Sequence, residues 1–560
     1  MGKKERIKRI MHIAHRDEVP QSKISYKERL KQQQPQCIFG SAGGCCKICS
    51  AGPCRLTEGR FAHGKFSKGV CGASMDVVTA RNFLRSVAAG VSAHADHARI
   101  VAEALGTHKV KNGRLLKKLM KKYKAKDQKE LSKKILSEFA EYDFKVSRAL
   151  HQTNFGVNAD PGSYLERILE LGAVDYRVME IASSLQSALF GAPHLVKCES
   201  NLGVLKKDYV NIVVHGHVPL LAEKIIEYSN KLTPLARRNG AKGINIVGMC
   251  CDAHELARHG IPMAGHLLQQ EFAIMTGAVD AMVVDLQCIF PSLKDLAECY
   301  HIKLITTYDI GKIHGAMHVP FSKNPDKVAE KIINEALVAY KNRSHSNVNI
   351  PADKSELYAG FSIDGIESTI GVGELAKKIK SGQILGIAAI VGCRNPKIDG
   401  MHEKLAKSLI HKNILVLATG CASHAIAQSG LMIRNKSTGK KLSSAIGELP
   451  PCFHMGACVD NSQIFRLFEV LAKKMNIRPN ELPVVFCAPE WVTEKALAIG
   501  SASLAGGYAT YVNPKPPLSK KIIKHLERGL PNGGFLITGR NHRIASIKIA
   551  RAIKKKRKHL

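Results

Sequence analysis

The sequence has no apolar run approaching the roughly 20 residues that cross a bilayer, and its basic N-terminus, Met1 to Arg16, has no apolar segment of the signal-peptide kind. Neither a membrane span nor a secretory signal is expected, which points to a cytoplasmic protein. Acidic residues are scarce: 47 Asp and Glu stand against 83 Lys and Arg, a net charge of +36. This excludes an acidic disordered tail as the theme. Nucleic acid binding is also a poor account of the charge, because the basic residues are dispersed, there is one tryptophan, and no nucleic-acid motif is present. Intact nucleotide and zinc-protease motifs are missing too. Gly59-x4-Gly64-Lys65-Phe66 has Phe66 where a P-loop needs a hydroxyl, and His254-Glu255-x3-His259 is one residue too long for a zincin helix. Without an export signal the 16 cysteines do not read as a disulfide framework, since the cytosol keeps thiols reduced. Metal or redox chemistry is left.

What is present is a globular chain of 560 residues, 45% hydrophobic, long enough for about three or four cores. From Ser74 to Leu105 apolar residues recur at helical spacing, and Leu115 to Phe139 is a lysine-rich helical stretch. Its cluster Lys117, Lys118, Lys121, Lys122, Lys124 and Lys126 reads as a solvated helix face, with a docking patch as the other reading. After Val210, short β-branched runs end abruptly in Gly, Cys, His or Asp and alternate with helical segments: Val210 to Val214, Ile244 to Gly248, Ala281 to Asp285, Leu304 to Thr307, Ile384 to Val391, Ile414 to Thr419 and Val484 to Phe486. Continuous apolar strands of this kind imply parallel sheets covered on both faces. The expected fold is α plus α/β: an N-terminal helical iron-sulfur domain (1–205) followed by two Rossmann-like parallel α/β domains (206–348 and 349–560), divided in the polar stretch around Pro351. The last ten residues, with Lys554-Lys555-Lys556-Arg557-Lys558, read as a frayed basic tail.

The cysteines carry most of the information. Cys37, Cys45, Cys46, Cys49, Cys54 and Cys71 fall within 35 residues, interleaved with glycines that let backbone wrap closely around a compact body. Cys46, Cys49, Cys54 and Cys71 suffice for a 4Fe-4S cluster or a tetrahedral zinc; their spacing is not that of two paired CxxC units, which favours iron-sulfur. Cys37 and Cys45 are left over, either as structural thiols or as half of a site completed by a symmetry-related pair in a dimer. The remaining candidates share one setting. His215 and His217, Cys250 and Cys251, Cys288, Cys393 and Cys421 each follow an expected strand, and Cys458 sits in a Gly-containing turn. Ligands of open parallel sheets bind at the carboxyl ends of strands, so these residues can converge, and soft thiolates with an imidazole suit iron-sulfur and nickel.

These motifs resemble a known family. Cys37-Ile-Phe-Gly40 through Cys45-Cys46-Lys-Ile-Cys49-Ser-Ala-Gly-Pro-Cys54-Arg55, Gly69-Val-Cys71-Gly-Ala73, Ala80-Arg-Asn-Phe-Leu-Arg85, His215-Gly-His217, Gly248-Met-Cys250-Cys251, Val284-Asp-Leu-Gln-Cys288, Gly392-Cys393-Arg-Asn-Pro396, Thr419-Gly-Cys421, His454-Met-Gly-Ala-Cys458-Val-Asp-Asn461 and Ala488-Pro-Glu-Trp491 to Gly500 are similar to the anaerobic nickel-iron carbon monoxide dehydrogenases, in family order over nearly the whole chain. The resemblance implies oxidation of CO with water to CO2, with electrons passed to a ferredoxin-like carrier. It implies a 4Fe-4S cluster on Cys46, Cys49, Cys54 and Cys71, and a cluster on Cys37 and Cys45 shared across a homodimer. It further implies a nickel-iron-sulfur cluster on His217, Cys251, Cys288, Cys393, Cys421 and Cys458. Family spacing favours Cys251 over Cys250 and His217 over His215; both alternatives stay open. Lys495 and His94 match residues that stabilise charge and move protons, His97 continues the relay one turn on, and Ile499 matches a residue near the gas site. Where the family often places a third histidine, this chain has Ile100. A hydrogenase or an acetyl-CoA synthase partner is compatible with the resemblance. The competing reading is a non-catalytic iron-sulfur electron-transfer or redox-sensing relative without nickel; against it, every candidate ligand and Lys495 are retained.

Overall fold

The computed structural model describes residues 25–58, 66–321, 324–398, 400–434, 439–558 and 560. The basic N-terminal stretch to Arg16 and the Gly59 to Lys65 part of the P-loop-like segment lie outside them.

The first unit is built on three long helices, Met75–Leu105, Gln128–Gln152 and Pro161–Phe190, and each starts on a side chain that satisfies free N–H groups. Ser74 accepts from the N–H of Val77, Asp127 from Glu130, and Asp160 from Gly162 and Ser163 with Pro161 in the first turn. The single helical stretch expected over 115–139 is two helices. Gly113–Tyr123 closes on Lys124 in the left-handed region at φ 52°, and Asp127 then caps the next helix, so a cap hidden in a charged sequence makes the break.

Glycine sets how closely these helices approach the Glu494–Ala505 helix. A Cβ on Gly90 would lie 2.3 Å from the Glu494 carbonyl oxygen, and one on Gly172 would lie 2.5 Å from the Ser501 carbonyl. Two small positions on different helices therefore hold the start and the middle of Glu494–Ala505 against the helical domain. In an open helix Gly90→Ala would stabilise by roughly 0.5–1 kcal/mol, but here the backbone clash wins. The expected outcome is a loss of about 1–3 kcal/mol, read as a lowered denaturant midpoint.

Two sheets follow. In the larger, eight strands lie in the order Ser355–Ala359, Val196–Ser200, Met263–Gly265, Ile244–Met249, Val210–Gly216, Val279–Val284, Lys303–Thr306, Met317–His318. All pairs are parallel except the first. The second sheet is parallel throughout, in the order Cys452–Gly456, Ile414–Thr419, Gly386–Ile390, Val484–Ala488, Ala509–Val512, Phe535–Thr538. Numbered along the chain, the six strands of the second sheet, like the six from Val210 to His318 in the first, run 3-2-1-4-5-6, the doubly wound order. The order reverses between Val210–Gly216 and Val279–Val284 in one sheet and between Gly386–Ile390 and Val484–Ala488 in the other, and each reversal opens a crevice. Every expected strand is present, with ends moved by a few residues.

Two features differ from expectation. The larger sheet runs across both expected boundaries: Val196–Ser200, from the helical side of 205, pairs antiparallel with Ser355–Ala359, from beyond 348. Nor is the C-terminus a frayed tail up to Arg557. Residues His542–Arg557 form one helix that buries Ala545, Ile549 and Ile553, and Lys556 Nζ donates to the Asn480 carbonyl at 2.5 Å. The apolar spacing of that segment, rather than its run of cations, decides its structure.

Candidate metal centre

Two cysteine-lined cavities occur, of similar empty volume. The first, about 330 Å3, is walled by Cys46, Cys49, Cys54 and Cys71. Cys46 and Cys54 are direct partners on a two-stranded ribbon, and Gly52 between them is tightly enclosed by backbone: a Cβ there would sit 3.0 Å from the Cys46 carbonyl oxygen. Buried Arg81 donates to Cys46 Sγ at 2.9 Å, and the Val70 N–H to Cys54 Sγ at 3.4 Å. Such donors stabilise thiolate sulfur. Cys37 is exposed and Cys45 half-buried, and neither lines this cavity.

The second cavity, about 380 Å3, is lined by His217, Cys250, Cys251, Cys288, Cys393, Cys421, Cys458, Lys495 and Ile499. Its walls are the carboxyl ends of strands from both sheets. His217 and Cys288 leave the two strands flanking one crevice, Cys393 and Lys495 follow the strands flanking the other, and Cys251, Cys421 and Cys458 follow neighbouring strands. Residues more than 270 positions apart thus meet because the two crevices face each other. Cys250 and Cys288 at this wall, and Gln287 next to Cys288 in the chain, have left-handed φ of 56°, 57° and 64°. Backbone strain of this sort concentrates at functional sites.

The turn carrying His217 is fastened by buried Asp285, whose carboxylate accepts from the His217 N–H at 2.9 and 3.0 Å, from Val218 at 2.5 Å and from Leu286. A Cβ on Gly216 would fall 1.4 Å from Asp285 Oδ1, so only glycine fits between the two histidines. Burial lifts the Asp285 carboxyl to about 7, against the pull of those N–H groups. His217 Nδ1 donates to the Leu286 carbonyl at 2.9 Å, leaving Nε2 as the nitrogen for a metal, and burial keeps the ring neutral, the form a metal needs. His215 lines no part of the cavity; its Nε2 meets Gln270 Oε1 at 3.1 Å.

The thiols crowd one another. Burial, then the neighbouring sulfurs, push Cys250 well up; the contact with Cys458, then burial, do the same at Cys251; burial raises Cys288 and Cys393. Cys421, which accepts from Cys250, is held down. Among the described residues no group of three or more His, Cys, Asp or Glu is set to hold a single ion. The wall instead gathers six thiols and an imidazole around a larger space, a soft donor set that fits an iron-sulfur body carrying a further soft metal, whose positive charge would relieve the repulsion among thiolates.

Lys495 is 5% exposed. Burial alone would lower its pKa, but Cys288, Cys251, Cys458 and Cys393 outweigh that and raise it, so the ammonium stays charged. His94 Nδ1 lies 2.7 Å from Asp175 Oδ1, both fully buried, and His97 is driven to about 3 by burial, with Lys495 and His94 adding. Among the described residues the Nε2 atoms of His94 and His97 have no hydrogen-bond partner. A separate apolar cavity, about 650 Å3 and lined by Leu165, Ile168, Leu497 and Leu504 among others, shares Ala496 with the cysteine cavity.

Sequence reasoning missed Asp175, Thr493, whose Oγ1 is 3.3 Å from Cys393 Sγ, and the anchoring by Asp285. A lone Asp in a helix gives no signal; Arg81 and Asp285 stood inside quoted motifs without a role.

Comparison with known proteins agrees with this architecture. Residues 44–147 and 139–538 match the Prismane/CO dehydrogenase family. The chain is 35% identical to carbon monoxide dehydrogenase 1 of Carboxydothermus hydrogenoformans over 95% of each chain, and 36% identical to the carbon monoxide dehydrogenase of Rhodospirillum rubrum over 94% of each. The solved structure of carbon monoxide dehydrogenase IV from Carboxydothermus hydrogenoformans superposes with a TM-score of 0.92 at 38% identity, covering 99% of this chain and 98% of that one. The chain therefore belongs to the Prismane/CO dehydrogenase family.

Proposed function

We propose that this protein oxidises CO with water to CO2, releasing two protons and two electrons, at a centre held in the second cavity. The observation that carries this is the convergence of His217 and the thiols of Cys250, Cys251, Cys288, Cys393, Cys421 and Cys458 on one space that also admits Lys495. His217, Cys251, Cys288, Cys393 and Cys421 would hold the iron-sulfur part and Cys458 the nickel, with Cys250 the alternative to Cys251. When bound, such a cluster supplies the sites at which CO and water react and the first acceptor for the electrons.

The chain's own residues do the rest. The buried ammonium of Lys495 faces developing negative charge without reorganising water, and the apolar wall that Ala496 and Ile499 give this region suits an uncharged diatomic substrate. Asp175 accepts from His94 Nδ1 and so leaves Nε2 free to take or give a proton. His97, next on the same helix face, continues outward until Ile100 ends the row. Cys46, Cys49, Cys54 and Cys71 would carry a 4Fe-4S cluster, and exposed Cys37 with Cys45 a cluster completed by a second copy in a homodimer. Electrons would leave to a ferredoxin-like acidic carrier drawn by the +36 charge.

Asp175→Asn is expected to lower kcat on the order of a hundredfold and shift the pH-rate profile with iron and nickel contents unchanged; loss of metal would mean a structural role instead. For the reading as a whole, anaerobic metal analysis with CO-dependent viologen reduction decides. Nickel near one per chain with turnover supports it. Iron alone, with no activity after nickel reconstitution, favours the electron-transfer relative.

A further inference from the structure

The lysine-rich helix Gly113–Tyr123 has no part in the chemistry above, yet its surface is the most one-sided on the helical domain. Leu115, Leu116, Leu119 and Met120 turn inward, while Arg114, Lys117, Lys118, Lys121 and Lys122 are all exposed, with no acidic residue in the helix. Exposed Lys124, Lys126, Lys129 and Lys133 extend the face into the next turn and helix. The acids in that extension are engaged locally: Asp127 caps the Gln128–Gln152 helix, and Glu130 accepts from the Lys126 N–H and pairs with Lys134. Lys122 reaches Glu180 at 3.4 Å, a weak exposed pair.

Such a face is costly to keep. Arg114 and Lys118, Lys117 and Lys121, and Lys118 and Lys122 are like-charge pairs at i and i+4, each destabilising by roughly 0.2–0.5 kcal/mol. A helix selected only for solubility would interleave glutamates. The exposed cations are nearly all lysine, a point charge that suits a diffuse field of phosphates better than planar, two-pronged recognition. No exposed aromatic residue stands among them to stack on a base. An electron carrier fits poorly here. The face lies at the start of the 25-residue Gln128–Gln152 helix, whose far end leads into Phe155 at the wall of the first cysteine cavity. At about 1.5 Å per residue that is roughly 37 Å away.

We propose that the Arg114–Lys133 face docks the protein on an anionic bilayer surface, phosphate headgroups being the counter-charge and no segment entering the hydrocarbon. A cluster of this size reaches the range in which lysines hold a protein at acidic lipid, and the attachment falls with salt.

The test uses the full, metal-loaded protein and sedimentation with vesicles of equal parts phosphatidylglycerol and phosphatidylcholine. Because a chain of +36 charge binds acidic vesicles unspecifically, two variants of equal charge are compared. One carries Lys117→Gln, Lys118→Gln, Lys121→Gln and Lys122→Gln. The other carries Lys473→Gln, Lys474→Gln, Lys521→Gln and Lys524→Gln, exposed cations on two other helices outside the Arg114–Lys133 face. The first should lose about three orders of magnitude in vesicle affinity, the second little, with CO-dependent turnover in solution unchanged in both. Equal losses in the two variants, or none in the first, overturn the proposal. So does a wild-type protein that ignores the vesicles but shifts a DNA or RNA duplex in a manner lost in the first variant.

Discussion

Cys458→Ala is expected to lower CO-dependent turnover by roughly 10³-fold or more while the absorption and paramagnetic spectra of the N-terminal clusters persist. The expectation rests on where Cys458 stands. It follows the Cys452–Gly456 strand at the edge of the second sheet, touches Cys251, and lies so near Gly420 that a Cβ there would meet its sulfur at 3.0 Å. The turn around it is held independently of the sulfur: Asn461 donates to the Cys458 carbonyl at 2.8 Å, and the Ala457 N–H to Asp460 at 2.9 Å. Removing the sulfur therefore takes one donor from the cavity without unfolding its frame. The Cys46, Cys49, Cys54 and Cys71 cavity shares no residue with it and should be unaffected. Nickel content is expected to fall with activity. Unchanged turnover would refute the assignment of Cys458 to nickel.

Lys495→Ala carries the second large effect, a fall in kcat of about 10²- to 10⁴-fold with nickel and iron retained. The ammonium is buried, four thiols surround it, and it stands in the first turn of a helix whose other buried residues are Ala, Leu, Ile and Ser. Among the described residues no other lysine or arginine lines that cavity. The backbone that presents it is fixed by the close approach of Gly90 to the Glu494 carbonyl, so truncation at Cβ should leave the helix in place. Metal analysis separates the two ways the variant could fail. Metal content falling in step with activity would mean that Lys495 only balances thiolate charge, and wild-type rates would remove its role entirely.

How much of this was legible beforehand follows from the physics of each element. The strands that end at the second cavity are buried on both faces, so they read as unbroken apolar runs, and the common position of His217, Cys251, Cys288, Cys393 and Cys421 just past those runs showed without coordinates that they could converge. Val196–Ser200 and Ser355–Ala359 were not legible. They form the antiparallel edge of the larger sheet, six of their ten residues stay partly or fully exposed, and Val-Lys-Cys-Glu-Ser and Ser-Glu-Leu-Tyr-Ala offer no apolar run to find. The break at Lys124 hid in a lysine-rich stretch because its signal, Asp127 as a cap, is one residue among many charges. Asp175 has meaning only through His94, 81 positions away on another helix, and such a pairing exists once the helices are packed.

The central claim is that one space, built by the strand ends of two sheets, holds a mixed-metal centre. Anomalous diffraction from anaerobically isolated protein, collected on either side of the nickel and iron edges, tests it directly. Iron is expected in both cysteine cavities and a nickel signal in the second alone, beside Cys458. Iron confined to the N-terminal cavity, or nickel anywhere else in the chain, would contradict it.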